Sequence, residues 1–290
     1  MVPPYYSTGH HTQHKGVYMT YINYPTTAIN ATPASLLPTQ IQVHSAVPVQ
    51  KQDLVSAFNP KRAGKNAKLS HIVFVLDESS SMRSCWDSTI AGYNEYLAGQ
   101  RTDAEQTGTK TLVSLYKFNG SQVNCVFDRV DVKVVKPLDK TSYSPSGGTN
   151  LHDAIGGVLM QINNLLSTKH KSERESVIIT ILTDGEENQS TTFRATDVKG
   201  MVEKAEAKNW GFMFLGANID AFHAGSTLGF GATNTMQYSV KNISETINSA
   251  SAMTSRMRTA YASGLDTAST YAATSFTAAE RSASVGKKDE

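Results

Sequence analysis

The chain has 290 residues, a net charge of +2 and two cysteines. That balance gives no global electrostatic case for nucleic acid. No stretch approaches the roughly 18 apolar residues of a membrane helix, and two cysteines do not make a disulfide framework. The length suits one α/β domain of about 200 residues with extensions. The N-terminus lacks a basic start followed by an apolar core, so no secretory leader is expected, and Cys85 and Cys125 are expected to be reduced.

Residues 1–66 differ from the rest. Seven of the nine prolines fall in the first 60 residues, and the first acid is Asp53. Tyr5, Tyr6, Tyr18, Tyr21 and Tyr24 add aromatic surface. Disordered tails are usually highly charged and poor in aromatics, and this segment is neither. Val17–Tyr24 and Gln40–Val49 contain β-compatible runs. The segment reads either as a flexible tail or as an extended arm that gains order against a partner or a sheet edge. It ends in a basic linker with Lys61, Arg62, Lys65 and Lys68. Such runs are usually solvated, with phosphate binding the minor alternative.

A domain is expected over 67–263. Ile72–Leu76 is a short β-branched apolar run, the pattern of a strand buried on both faces in a parallel sheet. It ends on Asp77, at the edge where open α/β sheets bind ligands. Asp77, Ser79 and Ser81 alternate, so one loop can aim three oxygen ligands at one centre. A carboxylate with two hydroxyls suits Mg²⁺ or Mn²⁺ better than zinc or copper. The plainer alternative is a Ser-rich turn in which Asp77 caps the next helix.

A helix is expected over 87–100, then strands over 112–118 and 123–127 joined by a hairpin at Asn119-Gly120. Val130–Leu138 is ambiguous. Tyr143–Asn150 is a turn-rich loop whose glycines, 147 and 148, allow close backbone approach to an ion. Apolar residues from Leu151 to Leu166 recur at helical spacing, with His152 and Asp153 flanking that face. A second buried strand, within 175–184, ends on Thr183-Asp184-Gly185, followed by an acidic rim at 186–189. A helix over 195–208, a strand over 210–215, a short helix over 220–228 and an edge strand over 235–240 follow. Alternating βα units of this kind specify a doubly wound, mostly parallel six-stranded sheet with one antiparallel edge strand and helices on both faces. Ile243, Ile247, Ala250, Met257 and Tyr261 mark another helix, stopped at Gly264. An Ala/Ser/Thr-rich helical tail occupies 264–290, with Leu265–Arg281 a weaker version of the same pattern, either partly frayed or assembling with copies of itself.

Asp77-x-Ser79-x-Ser81, then Thr149 after Gly147-Gly148, then Asp184 in Thr-Asp-Gly, resembles the metal-ion-dependent adhesion site of von Willebrand factor type A domains. The motifs stand in the family's order, and the resemblance covers about two thirds of the chain. It implies a Rossmann-like fold and a metal held by Asp77, Ser79, Ser81, Thr149 and Asp184. Mg²⁺ or Mn²⁺ is implied over Ca²⁺, which prefers more carboxylates. An open coordination position is left for an Asp or Glu of a protein partner. The first motif usually carries Gly; here Glu78 changes the local charge and Ser80 is an alternative hydroxyl.

Enzyme readings fare poorly. A second acid two residues after Asp77, a P-loop and a nucleophile elbow are all missing, and no His base is placed near Ser79 or Ser81. The expectation is therefore a non-enzymatic binding module with neither nucleic acid nor membrane as partner. GFMFLGANID at 211–220 and TDGEEN at 183–188 look like the small stand-alone type A proteins of bacteria and bacteriophages. With the sparsely charged Pro/Tyr-rich arm and the Ala/Ser/Thr-rich tail, this favours a bacteriophage virion component joined to other virion subunits or copies of itself. The alternative is a cytoplasmic adaptor recruiting an acidic motif, for example to an ATPase.

Overall fold

The first core strand, β1 (Leu69–Asp77), is buried almost end to end because it has a parallel neighbour on each side. In this computed structural model, which describes residues 55–64, 69–120 and 122–286, those neighbours are β2 (Lys110–Asn119) and β4 (Ser176–Thr183). With β3 (Gln122–Asp131), β5 (Trp210–Ala217) and β6 (Thr235–Tyr238) they form a six-stranded sheet in the order β3-β2-β1-β4-β5-β6. Five strands are parallel and β3 is antiparallel, the architecture expected from the alternation of elements. Strand order reverses between β1 and β4, so their C-terminal tips flank the switch point at which open α/β sheets form a crevice.

Period-two alternation along β1 divides the core. Ile72, Phe74 and Leu76 face α1 (Trp86–Thr107) and α5 (Ile243–Ala262), meeting Tyr93, Tyr96 and Met253. Val73 and Val75 face α2 (Leu151–Ser167) and α3 (Ala195–Glu206), meeting Ile155, Val158 and Met201. A short α4 (Ala221–Thr227) is capped by Asp220, whose carboxylate accepts from His223 N at 2.9 Å. Helix α1 runs seven residues past the expected stop at 100, to Thr107. Its second half is held by polar contacts that apolar periodicity does not register: Arg101 donates to the carbonyls of Val132 and Val135, and Asp103 pairs with Arg258.

The hairpin forms, but one residue along from the expected turn. Asn119 pairs with Gln122, so Gly120 rather than Asn119 takes the first turn position, with φ of 53°. The ambiguous segment splits: β3 continues to Asp131, and Val132, Val135 and Leu138 then turn into the core.

Two assignments outside the sheet change. The segment before residue 67 was expected to lie apart from the core, yet its described part, 55–64, packs into it. Phe58 is 1 % exposed and sits edge-on to Trp210 at 6.5 Å. Ala63 N and Gly64 N donate to the carbonyls of Lys208 and Glu175, both at 2.8 Å. A lone aromatic two residues before Pro60 has no sustained periodicity around it to announce its burial. Residues 1–54, with both β-compatible runs and the tyrosines, lie outside the described residues.

The second is the tail. Residues 267–285 form α6 (Thr267–Thr274) and α7 (Ala278–Val285), docked along β5 and β6. Tyr271 OH accepts from Phe212 N at 2.8 Å and donates to Glu206 Oε1 at 2.8 Å. Arg281 donates to the Thr235 carbonyl at 2.7 Å, and Phe276 is buried. Polar groups make most of this docking, so the sequence carries little hydrophobic pattern for it.

The Glu206–Tyr271 contact predicts a pH effect. Burial raises the Glu206 pKa from 4.5 to about 7, the Tyr271 hydrogen bond opposing it only in part. A carboxyl with a raised folded-state pKa contributes stability below its unfolded pKa and loses it as pH rises through the folded one. Glu206→Gln should therefore match the wild type at pH 5 and exceed it at pH 8. The gain is about 1–2 kcal/mol after discounting for partial solvent access, a few degrees in Tm by differential scanning fluorimetry.

Candidate metal centre

Asp77 ends β1 inside the sheet rather than in solvent. Its Oδ1 accepts from Ser79 N at 2.7 Å and its Oδ2 from Thr183 Oγ1 at 2.6 Å, while Tyr143 OH donates to its backbone carbonyl at 2.7 Å. Both carboxylate oxygens are thus held, and the backbone beneath them is anchored as well. Burial pushes its pKa up to about 6, against hydrogen bonds from Thr183 and Ser79 that favour the charged form.

From Asp77 the chain turns so that Ser79 Oγ lies 3.0 Å from Ser81 Oγ, and Ser81 Oγ donates to Asp184 Oδ1 at 2.6 Å. Asp184, at the tip of β4, is buried, and burial raises its pKa as well. Thr149 enters from the α2 side. A Cβ built on Gly185 would stand 3.4 Å from both Ser81 Oγ and Thr149 Oγ1, so the two hydroxyls converge over that glycine. Thus Asp77, Ser79, Ser81, Thr149 and Asp184 meet at the sheet's switch point.

Asp184 Oδ2 is buried and has no hydrogen-bond partner. An orphaned buried carboxylate oxygen is costly, and it belongs to an otherwise hydrogen-bonded cluster of hydroxyls and carboxylates. Among the described residues no group of three or more His, Cys, Asp or Glu is placed to hold a metal. The cluster is a hydroxyl-rich hard-oxygen set with only two carboxylates, and that chemistry fits a small hard cation.

Glu78 does not add charge to the cluster. It turns away, buried, to pair with Lys117 Nζ at 2.6 Å and accept from Ser144 N at 2.7 Å. Gly147 and Gly148 serve loop packing. Gly147 has φ of 74°, and a Cβ on Gly148 would come within 2.7 Å of Asn188 and Gln189 side-chain atoms. The loop is sewn in place by Ser80 N to Gly147 O at 3.0 Å and Gly120 N to Gly148 O at 2.7 Å.

Three supporting residues went unrecognised in the sequence. Asp153 was placed beside the apolar face, yet it is buried and accepts from Thr191 N, Thr192 N and Phe193 N at 2.7–3.2 Å. Glu187, expected on a solvent rim, turns inward to accept from His152 N, Gln189 N and Ser190 N at 2.6–2.9 Å. Asn188 Oδ1 then accepts from Thr149 N at 2.9 Å. Together they hold the loop after β4, and through Asn188 they orient Thr149. Asp153 in the first turn of a helix was the available signal, because acids there usually engage backbone N–H groups.

A second titratable cluster lies at the opposite end of the sheet. His71, Ser114 and Glu175 are fully buried, with His71 Nε2 2.7 Å from Ser114 Oγ. Ser114 Oγ already donates to Asp128 Oδ1 at 2.5 Å, so it accepts from His71, which carries its proton on Nε2. This is the reverse of a serine–base pair, and none of the three residues reaches solvent. Burial keeps the imidazole neutral, its pKa pushed down to about 4 against the opposing Asp128 and Glu175 carboxylates. The 4.0 Å approach of its Nδ1 to Glu175 is therefore not an ion pair.

The fold and the oxygen cluster together define an open, doubly wound α/β domain with a potential cation site at its topological switch point. Residues 71–254 match the family model for the von Willebrand factor type A domain, and the chain belongs to that family. No curated protein matches it. Among solved structures, proximal thread matrix protein 1 from the mussel byssus is 12 % identical, with TM-score 0.43, over 65 % of this chain and 46 % of that one. The manganese-loaded TRAP protein of Plasmodium vivax is 13 % identical, with TM-score 0.42, over 62 % and 72 % of the two chains. The pilus adhesin SpaC of Lactobacillus rhamnosus GG is 14 % identical, with TM-score 0.45, over 66 % and 30 %. This chain thus spans less than half of the mussel protein. All three are distant likenesses, and membership of the family rests on the match over 71–254.

Proposed function

We propose that Asp77, Ser79, Ser81, Thr149 and Asp184 hold one divalent cation and that the chain is a non-enzymatic, metal-dependent protein-binding module. The observation that carries this is Asp184 Oδ2, a buried acceptor with no partner beside four other oxygen-bearing side chains. Mg²⁺ or Mn²⁺ is favoured over Ca²⁺ because two carboxylates and three hydroxyls are a small, weakly charged ligand set. Bound there, the cation would supply an electrophilic centre for a partner's Asp or Glu. The protein's own part is to hold the two carboxylates in place and the hydroxyls oriented, while burial raises both carboxyl pKa values and so leaves a cation to favour their ionised form. Glu78, neutralised by Lys117, leaves that charge balance undisturbed.

The reading is tested with an array of peptides that differ only in Asp, Glu, Asn or Gln at one central position. Binding in Mg²⁺ should be confined to the Asp and Glu members and should vanish in EDTA. Equal binding to the amide members, or binding that survives EDTA, would exclude it.

The finer proposal is a bacteriophage virion component that contacts neighbouring subunits or copies of itself. Its support is the resemblance of 183–188 and 211–220 to stand-alone type A proteins and the low charge of the N-terminal segment. Mass spectrometry of purified particles should find the chain in stoichiometric amount. Its recovery only from host cytoplasm would favour an adaptor instead.

The division into 1–66, 67–263 and 264–290 carries a related proposal, with the first boundary moved to about residue 55 because Phe58 and Ala63 are core residues. Deleting 1–54 should leave Tm unchanged. Deleting 1–66 should lower stability by about 3 kcal/mol or more, the usual cost of removing a buried Phe.

A further inference from the structure

We propose that a basic pocket at the end of the sheet opposite the metal centre binds a compact, multiply charged phosphate ligand. The pocket has a volume of about 560 Å³, within the usual range for small-molecule sites. Five cationic residues line it, Lys61, Arg62, Lys171, Arg174 and Lys208, and no acid does. It lies where β4 begins and Asp184 where β4 ends, so the eight residues of the strand separate the two by about 25 Å.

The pocket is constructed rather than incidental. Its wall, 59–64, is pinned by Lys61 N to Asn163 Oδ1 at 2.9 Å, by Trp210 Nε1 to Lys61 O at 2.9 Å and by Ala63 N to Lys208 O at 2.8 Å. A Cβ on Gly64 would fall 1.5 Å from Arg174 O, so this glycine permits the wall to press against the start of β4. Arg174 is oriented by Nε donating to Leu166 O at 3.1 Å and Nη1 to Arg62 O at 3.4 Å.

None of the five cations forms an ion pair among the described residues, although acids are close in sequence. Glu173 is turned to His170 N, and Glu175 is taken by Arg129 and Lys169. Like charges gathered without a counter-ion repel one another, so the site favours an anion of several charges. Arginine forks and lysine ammonium groups together suit phosphate oxygens. The lining offers no aromatic face on which a nucleobase could stack, and only Pro60, Ala63 and Gly64 as non-polar residues. A polyphosphate or a small, densely phosphorylated molecule therefore fits better than a nucleic-acid strand.

The test is calorimetric titration of the full chain with inorganic tripolyphosphate in metal-free buffer containing EDTA, so that the metal centre takes no part. Wild type should bind, and Lys171→Gln/Lys208→Gln should bind at least tenfold more weakly at unchanged Tm. Should that double variant fold poorly, Arg62→Gln, which alters one exposed side chain, should still weaken binding severalfold. Absence of wild-type binding, or unaltered affinity in the folded variants, would overturn the proposal. So would citrate binding as tightly as tripolyphosphate, or a single-stranded oligonucleotide binding more tightly than either.

Discussion

Asp153→Ala should destabilise the domain by about 3 kcal/mol or more in urea denaturation, although Asp153 is not among the five residues of the metal centre. One carboxylate there satisfies three successive backbone N–H groups, at Thr191, Thr192 and Phe193. Each donor left without an acceptor costs about 1–3 kcal/mol when buried, and partial solvent access at Thr191 and Thr192 keeps the sum near the lower end. The same loop presents Asn188 to Thr149 N. The variant should therefore also weaken cation binding, while Asp153→Asn, which keeps one acceptor oxygen, should fall between the two. A variant as stable as the wild type would show that the loop after β4 is held by something other than Asp153.

Glu175→Ala should have a comparable effect at the other end of the sheet. Glu175 is fully buried and accepts from Lys169 Nζ at 2.6 Å and Arg129 Nε at 2.9 Å. Burial alone would raise its pKa, but the Lys169 hydrogen bond and the Arg129 charge prevail and hold it below the usual value of 4.5. A carboxylate with a lowered pKa contributes stability above its unfolded pKa and loses it as pH falls through the folded one. Removing it at pH 7 should cost about 3 kcal/mol, the low end for breaking a buried pair, because Lys169 and Arg129 retain some access to water. The difference between wild type and variant should shrink below pH 4.5. A pH-independent difference would mean that the side chain's packing matters and its charge does not.

These two carboxylates illustrate what the sequence conveyed. The sheet was legible because β1 and β4 are short, apolar and rich in β-branched residues, because β5 is apolar almost throughout, and because helical periodicity separates the strands. Asp77 and Asp184 were legible because each directly follows such a run. Glu187 was hidden, because nothing in a linear pattern distinguishes an acid that accepts backbone N–H groups across a loop from one that faces water, and Asp153 carried only its place in the first turn of α2 as a signal. Phe58 was hidden for a related reason, since its partner Trp210 lies more than 150 positions away and the residues beside Phe58 give no sustained periodic signal. The docking of α6 and α7 relies on Tyr271, Arg281 and Ser284 bonding to β5 and β6. Hydrophobic pattern is blind to hydrogen bonds of that kind.

The oxygen cluster at the tips of β1 and β4 is proposed to hold a cation. The most direct measurement is calorimetric titration of Mg²⁺ into wild type, Asp77→Ala and Asp184→Ala, each confirmed as folded by circular dichroism. One site per chain is expected in the wild type, with Mn²⁺ competing for it and Ca²⁺ binding more weakly. Both variants should lose it. Wild-type Mg²⁺ affinity in folded Asp184→Ala would contradict the account, because the buried oxygen left without a partner would then have no part in binding the ion.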